Sequence, residues 1–125
     1  MSSWSSEELE EINAEVYLHL AAALPDGSTP KWVDIWSVPV GDRLFVRSFN
    51  GVGGGWFGPA LESGRGRITA GRVARDVTFV VVPVEDEQTN AAVDVSFRAK
   101  YADSPYAETM STDPVRLNTL EVVPR

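Results

Sequence analysis

The chemistry that this sequence could carry is concentrated in a glycine-rich segment. Residues 47–61 read RSFNGVGGGWFGPAL, and five glycines fall within the eight residues that begin at Gly51. Glycine allows positive φ, so successive backbone N–H groups can converge on an anion. Arg47 can bind a phosphate through its forked guanidinium, while Ser48 and Asn50 offer hydrogen bonds. The segment is therefore a candidate phosphate-binding loop. A flexible turn is the alternative.

The same segment formally matches the dinucleotide-binding pattern G-x-G-x-x-G at Gly53, Gly55 and Gly58. That pattern requires a long crossover helix after the glycines, within a unit of about 30 residues. Here the following segment reaches only to about Ser63 before GRGR interrupts it, and no G-K-[ST] of a P-loop is present. The surroundings of the glycines therefore fit neither a Rossmann fold nor a P-loop.

Other kinds of catalytic centre find little support in the sequence. The chain has no cysteine and one histidine, His19, so it can build neither a thiol nucleophile nor a histidine-rich metal site. The hydrolase pattern G-x-S-x-G and the acidic spacing of a calcium-binding loop do not occur. We assign no catalytic residue and expect no metal. His19 is interpreted as a structural residue that is hydrogen-bonded at the edge of the barrel, with general acid–base catalysis as the alternative.

Length and charge limit the class of protein. A chain of 125 residues predicts one domain over residues 1–125, and its net charge of −7 disfavours nucleic acid as a partner. Residues 43–75 nevertheless carry six arginines against one glutamate, a balance that could attract a small anionic ligand; the alternative is that these arginines lie on the solvent faces of strands. The N-terminus does not read as a signal peptide, and no apolar run approaches membrane-spanning length. We expect a cytoplasmic protein with no membrane partner.

Three segments predict helices. Ser5 and Glu8 form a capping-box pair, which predicts a helix over residues 6–14. A short helical segment is predicted over residues 59–63, where a proline is tolerated in the first turn. Apolar residues that recur at intervals of four predict a third helix over residues 87–102. The remaining segment between this helix and the last strand is predicted to be a loop.

Alternating apolar and polar residues predict six strands. They lie in residues 15–24, 31–40, 44–50, in two arms that meet around Gly71 within 66–84, and in 115–124. Pro39 cannot donate to a ladder of hydrogen bonds, so it indicates an edge or a bulge. Strands joined mostly by hairpins, with few and short helices, predict a mainly β, α+β fold. We expect a small barrel with helices packed outside.

A resemblance to a known group of proteins is carried by LFVRSFNG, the pair Trp56–Phe57, FRAKY and TLEVVP, and it extends from Trp4 to Pro124. The chain resembles a bacterial family of unknown function that is grouped with the flavin-binding split barrels. This resemblance implies a six-stranded antiparallel split barrel with flanking helices, commonly a homodimer with flavin sites at the interface. The implied cofactor is flavin mononucleotide (FMN) or a deazaflavin.

The resemblance also implies where such a cofactor would bind. Its phosphate would lie near the strand of residues 43–50 and the loop after it, and its ring near the second strand. Relatives often have hydroxyl residues where this chain has glycines 53–55, which leaves backbone N–H groups as the donors there. Trp56 could stack on a flat ring, and Arg67 is a further candidate for the phosphate. The alternative for Trp32, Trp36 and Trp56 is a place in the core or in a dimer interface, where aromatic residues dominate the buried area. The candidate cofactor-binding residues are Trp36, Ser37, Arg47, Ser48, Asn50, Gly51, Trp56 and Arg67.

Three functions remain open at this point. The first is a flavin- or deazaflavin-dependent oxidoreductase of unknown substrate, in which the cofactor carries the hydride chemistry. The second is a non-catalytic protein that binds a flavin, a haem-like molecule or another flat anionic ligand. The third is a ligand-free dimeric interaction module, in which the glycine segment only turns the chain and Trp56 belongs to the core.

Overall fold

The computed structural model of the chain describes residues 3–28, 31–49 and 55–125. In these ranges, seven antiparallel strands form one sheet that curves into a nearly closed barrel, flanked by four α-helices. The elements along the chain are α1 (Ser6–Asn13), β1 (Leu18–Ala22), β2 (Val33–Ile35), β3 (Ser37–Val40), β4 (Arg43–Arg47), α2 (Phe57–Ser63), β5 (Arg65–Ala70), β6 (Val73–Val81), α3 (Glu87–Lys100), α4 (Ala107–Met110), a 3-10 turn (Val115–Leu117) and β7 (Thr119–Pro124). The predicted α+β barrel with flanking helices is confirmed.

The sheet has seven strands rather than six because the predicted strand over residues 31–40 divides at Trp36. The strand order is β2-β1-β5-β6-β7-β4-β3. β2 pairs with β1, whereas β3 pairs with β4. The two halves of one sequence segment thus lie at opposite ends of the sheet and are separated in the chain by Trp36 alone. This division leaves the barrel open between β2 and β3.

The two tight hairpins of the sheet turn at glycines. β3 and β4 are joined at Gly41, and β5 and β6 at Gly71; both glycines have positive φ, at 62° and 57°. A tight hairpin turn needs such a backbone, and glycine adopts it without steric cost. Pro39 lies in the end strand β3, as the edge prediction requires, because an edge strand leaves one side of its backbone unpaired.

One apolar core fills the barrel. Its completely buried strand residues are Leu18, Leu20, Leu44, Val46, Ile68, Val77, Leu120 and Val122. Leu9 and Ile12 of α1 and Phe57 of α2 belong to the same core, so both helices pack on the barrel through apolar side chains. Trp4 is also buried there, and its indole Nε1 donates to the carbonyl oxygen of Val122 at 2.8 Å. This bond fixes the N-terminal segment to the last strand.

A second apolar core lies between the sheet and α3. Val93, Phe97 and Tyr101, which recur at intervals of four, are buried against Val38 and Phe45 of the hairpin β3–β4. Burial of large apolar side chains from both elements is the main force that holds a helix on a sheet. The helix predicted over residues 87–102 is therefore confirmed as α3, which ends two residues earlier.

The other helices and the last strand differ only in extent from their predictions. α1 ends one residue before the predicted position, and α2 begins two residues earlier than predicted. The segment predicted as a loop after α3 contains α4, and the last strand begins at Thr119 after a 3-10 turn. None of the helices in the described ranges has both the length and the apolar character that crossing a membrane demands.

Candidate functional site

A cavity of about 500 Å³ opens where β2 passes into β3. Its wall comes from the residue before β1, all of β2, the end of β4 and the two residues after it, the residue before α2, and both ends of α4. The lining residues are Tyr17, Val33, Asp34, Ile35, Trp36, Arg47, Ser48, Phe49, Trp56, Tyr106 and Met110. Phe49 and Trp56 flank the glycine segment in the sequence, so the described chain enters and leaves that segment at the cavity wall.

Aromatic side chains dominate the cavity wall. Tyr17, Phe49 and Tyr106 are each about half exposed, at 50%, 49% and 59% of their full surface. Phe49 and Tyr106 meet edge to face, with ring centroids 6.1 Å apart. Trp56 is buried and contacts Phe57 in a similar geometry. An apolar concave surface with several rings is typical of sites that bind flat organic molecules.

Trp36 is held in a fixed orientation. Its ring stacks on Tyr101 with centroids 3.8 Å apart and an angle of 3° between the planes. The Tyr101 hydroxyl donates to the carbonyl oxygen of Val16 at 2.7 Å and accepts from the backbone N–H of Ser37 at 3.2 Å. Burial raises the pKa of Tyr101 to about 12, so the hydroxyl stays a donor at neutral pH. One face of the indole is therefore covered, and the rest of Trp36 contributes to the cavity wall.

Ser37 lies next to Trp36 but is not part of the cavity wall. Its side chain is buried, and in the described part of the chain its Oγ has no hydrogen-bond partner. The carbonyl oxygen of Ser37 accepts from the Lys100 Nζ at 2.8 Å. Burial lowers the pKa of Lys100 to about 8, because the charged ammonium is partly withdrawn from water. The backbone of Ser37 thus helps to hold Tyr101 and Lys100 in place, and Tyr101 is the residue on which Trp36 stacks.

Arg47 reaches the cavity wall, but its guanidinium is turned into the protein interior, where it is completely buried. Nε donates to Thr119 Oγ1 at 2.8 Å. Nη1 donates to Asp94 Oδ1 at 2.5 Å and to the carbonyl oxygen of Met110 at 2.9 Å. Nη2 donates to the carbonyl oxygen and to Oδ1 of Asn90, at 3.2 and 3.5 Å. All five N–H donors of an arginine thus have protein acceptors.

This arrangement changes the role expected for Arg47. A guanidinium whose N–H groups all donate to protein acceptors cannot also bind a phosphate, unless the buried hydrogen bonds are broken first. Burial lowers the pKa of Arg47, while its hydrogen bond to Asp94 acts in the opposite direction. Asp94 also accepts from Arg116 Nε at 3.0 Å, so one carboxylate serves two arginines. We conclude that Arg47 ties β4 to α3, α4 and β7.

The remaining predicted residues divide between two places. Ser48 is buried in the cavity wall, where its backbone N–H donates to the carbonyl oxygen of Asn118 at 3.2 Å. Asn50 and Gly51 lie outside the described residues. Arg67 lies away from the cavity wall and pairs with Asp76 through a 3.0 Å contact. The structure therefore brings together Trp36, Arg47, Ser48 and Trp56, but not Arg67.

The sequence reasoning missed several wall residues. Tyr17 and Phe49 lie within predicted strands and Tyr106 within a predicted loop, and nothing in the sequence indicated a site at any of the three. Asp34 was also missed. It lies opposite His19 in the β1–β2 ladder and forms a hydrogen-bonded pair with the His19 Nδ1. Both side chains are more than half exposed. His19 is therefore hydrogen-bonded on β1 to a residue of the end strand β2, and its structural role stays a prediction.

The antiparallel barrel, its opening between β2 and β3 and its aromatic cavity define the class of this protein as a split-barrel-like α+β domain. The chain belongs to the bacterial family described as "Uncharacterized protein conserved in bacteria (DUF2255)", whose model matches residues 8–122. This result agrees with the resemblance of the sequence to a bacterial family of unknown function. A search of curated proteins gave no match.

Solved structures share the fold. A conserved hypothetical protein from Mycobacterium tuberculosis is 16% identical with a TM-score of 0.60, over 98% of this chain and 80% of that chain. A putative 5-nitroimidazole antibiotic resistance protein from Bacteroides thetaiotaomicron is 15% identical with a TM-score of 0.64, over 96% and 79%. An F420 reductase is 17% identical with a TM-score of 0.56, over 93% and 90%. At these identities the likeness shows the fold alone.

Proposed function

We propose that the cavity binds FMN or a deazaflavin and that the protein is an oxidoreductase of the split-barrel class. The observation that carries this proposal is a juxtaposition in the cavity wall. Trp36, expected near the cofactor ring, and residues 47–49, expected near its phosphate, line the same cavity. The names of two structural relatives, an F420 reductase and a putative nitroimidazole resistance protein, support the same class of chemistry.

The size and the surface of the cavity suit such a ligand. Small-molecule sites typically enclose about 300–1,000 Å³, and this cavity of about 500 Å³ lies within that range. Rings of Tyr17, Phe49 and Tyr106 offer half-exposed apolar surface, which is favourable for a planar heterocycle. Asp34 is the acidic group of the wall, and it is paired with His19 at the rim.

The chain's own residues would bind and orient the cofactor. A bound flavin or deazaflavin supplies hydride transfer, which needs neither a catalytic cysteine nor a metal from the protein. Trp36 is fixed by Tyr101 before any ligand arrives, so contact with it costs little conformational entropy. Phe49 and Tyr106 form the exposed part of the wall, where they can exclude water from a bound ring.

A titration with three cofactors tests the proposal. FMN, flavin adenine dinucleotide and the deazaflavin F420 are added to ligand-free protein, and unfolding and flavin fluorescence are followed. A ligand present at 100 times its Kd stabilises the fold by about 2.7 kcal/mol. We expect stabilisation by at least one cofactor, a marked loss of affinity in Trp36→Leu, and no loss in Trp32→Leu. Trp32 is an exposed tryptophan outside the cavity wall and serves as the matched control.

Two results would count against the proposal. Absence of stabilisation by all three cofactors, in folded and ligand-free protein, would refute cofactor binding. Binding without turnover would refute the enzymatic part and leave a cofactor-binding protein. Turnover is measured as reoxidation of the reduced cofactor by a 5-nitroimidazole acceptor, the compound class in the name of one structural relative.

We also propose that the protein is a homodimer. The half-exposed rings of Tyr17, Phe49 and Tyr106 at the cavity support this, because aromatic residues are enriched at protein interfaces. Sedimentation equilibrium with and without FMN measures the mass directly. A monomer of 13.6 kDa at micromolar concentration under both conditions would contradict the homodimer.

A further inference from the structure

Lys31 brings a positive charge to the end of the glycine segment. A Cβ built on Gly55 would lie 2.9 Å from the Lys31 Nζ, so the ammonium packs directly against the Gly55 backbone. Gly55 has a φ of +87°, a conformation that side-chain-bearing residues rarely adopt. A glycine at this position therefore permits both the backbone path and the approach of the lysine.

Lys31 and Gly55 do not line the cavity themselves, but each is close in sequence to a residue that does. Lys31 is two residues before Val33, where the β2 part of the cavity wall begins. Gly55 directly precedes Trp56, which also lines the cavity. The contact between Lys31 and Gly55 therefore joins the segment before β2 to the segment before α2, and both segments continue into the cavity wall.

The charge of Lys31 is available for a ligand. Within residues 3–28, 31–49 and 55–125, no carboxylate forms a salt bridge with it, whereas Arg47 pairs with Asp94 and Arg67 with Asp76. Lys31 is also exposed. An ammonium is a compact point charge with three donors and binds phosphate well. The side chain thus offers, next to Gly55, an exposed positive charge that the buried Arg47 does not offer.

We propose that Lys31 binds the phosphate of the ligand, with the flavin or deazaflavin ring lying toward Trp36. This inference rests on the proposed function, since it assumes that the cavity holds such a cofactor. It names a residue that neither the glycine pattern nor the resemblance indicated. It also specifies the ligand further. The cofactor must carry a negative charge on the side chain of its ring, and that charge must lie at the end of the cavity where α2 begins.

Two flavins that differ only in the phosphate test this directly. FMN and riboflavin have the same ring, so a contact to the phosphate affects FMN alone. Losing one charge-assisted hydrogen bond weakens binding by about tenfold or more. We therefore expect Lys31→Ala to raise the Kd for FMN about tenfold and to leave the Kd for riboflavin within twofold. Lys31→Arg, which keeps the charge, should retain most of the FMN affinity.

Arg72→Ala is the charge-matched control. Arg72 lies in the β5–β6 hairpin turn, outside the cavity wall, and the variant removes the same charge from the protein. It should change neither affinity, because exposed charges beyond the Debye length of about 8–10 Å are largely screened at ordinary ionic strength. Urea unfolding of each variant shows that the fold is intact before binding is measured.

The possible outcomes separate this inference from the proposed function. Equal affinity of the wild type for FMN and riboflavin would overturn the role of Lys31 while the cavity still binds the ring. An equal loss of both affinities in Lys31→Ala would also overturn it, since the lysine would then act on the shape of the cavity. If neither flavin nor F420 binds the wild type, the proposed function fails and the phosphate role of Lys31 fails with it.

Discussion

Replacing Arg47 by methionine should destabilise the protein strongly, because it removes the centre of a buried polar network. The guanidinium is completely buried and donates to Asp94, Asn90, Met110 and Thr119. Methionine has a similar length and no donors. The variant therefore leaves these acceptors without their partner in a region from which water is excluded.

The size of the effect follows from that loss. Breaking a buried ion pair by removing one partner costs about 3–5 kcal/mol, since the other charge loses its compensation. Here Arg116 still donates to Asp94, so the carboxylate is not left unpaired. The carbonyl oxygen of Met110 and the side-chain oxygen of Asn90 lose their donor, at about 1–3 kcal/mol each, whereas the Asn90 carbonyl oxygen keeps its hydrogen bond within α3. We expect a loss of about 4 kcal/mol, a large part of the about 5–15 kcal/mol that stabilises a typical domain.

Urea unfolding followed by tryptophan fluorescence measures this loss, with linear extrapolation to water. Arg98→Met is the matched control, because Arg98 pairs with Glu108 on the same side of the protein but both side chains are largely exposed. Its effect should be far smaller. A loss below about 1 kcal/mol in Arg47→Met, within the usual range for surface substitutions, would refute the structural role assigned to Arg47.

The same variant distinguishes support of the cavity from contact with the phosphate. No N–H of Arg47 is directed at the cavity, so any change in ligand binding must arise through the shape of the wall. FMN and riboflavin should therefore lose affinity by the same factor in Arg47→Met, if the variant stays folded at low temperature. A selective loss of FMN affinity would mean that the guanidinium leaves its network to bind the phosphate.

Two further predictions concern single residues. Because burial lowers the pKa of Lys100 to about 8, its acylation, followed by peptide mass spectrometry, should rise with a midpoint near pH 8. The unfolded chain then binds more protons above that pH, so the unfolding free energy should rise from pH 8 toward 10 in the wild type but not in Lys100→Met. Gly66→Ala should destabilise the protein by about 2 kcal/mol or more, because a Cβ there would lie 2.4 Å from the Ala21 carbonyl oxygen. Gly41→Ala meets no atom within 4 Å and should cost only about 1 kcal/mol of backbone strain; thermal unfolding that ranks the two variants in the reverse order would contradict this.

Local features of the fold could be predicted because their causes lie a few residues apart. The capping box is an example: the Ser5 Oγ accepts from the Glu8 N–H at 3.1 Å, and the Glu8 carboxylate accepts from the Ser5 N–H at 3.0 Å. The hairpin turns at Gly41 and Gly71 are others. The periodic apolar face of α3 likewise needs no knowledge of distant residues.

The division of the second strand could not be predicted in this way. Residues 31–40 alternate as one strand would, and nothing within them marks Trp36 as the point where one ladder ends and another begins. The break is caused by the pairing of β2 with β1 and of β3 with β4, partners on different sides of the segment in sequence. Strand pairing is a property of the whole sheet.

That the candidate residues bind a cofactor stays a prediction, whereas their positions can be compared with the structure. Trp36 and Trp56 were expected near a ligand and do line the cavity. The position of Arg47 could not be foreseen, because its partners lie 43 to 72 residues further along the chain. An arginine beside a glycine segment is typical of a phosphate-binding site. In the folded chain, however, residues of α3 and β7 accept the hydrogen bonds of Arg47. Lys31 carried no sequence signal, since only the folded chain places it against Gly55.

The division at Trp36 has a consequence for the motions of the barrel. β2 has three residues, pairs along the sheet with β1 alone, and none of its side chains is fully buried, so its backbone hydrogen bonds should open more readily than those of the central strands. A ligand in contact with residues 33–36 and 47–49 would join the two ends of the sheet across the gap between them. Any opening of β2 that releases the ligand would then cost an additional RT ln(1 + [L]/Kd). The amides of β2 would report occupancy of the cavity through slower hydrogen exchange.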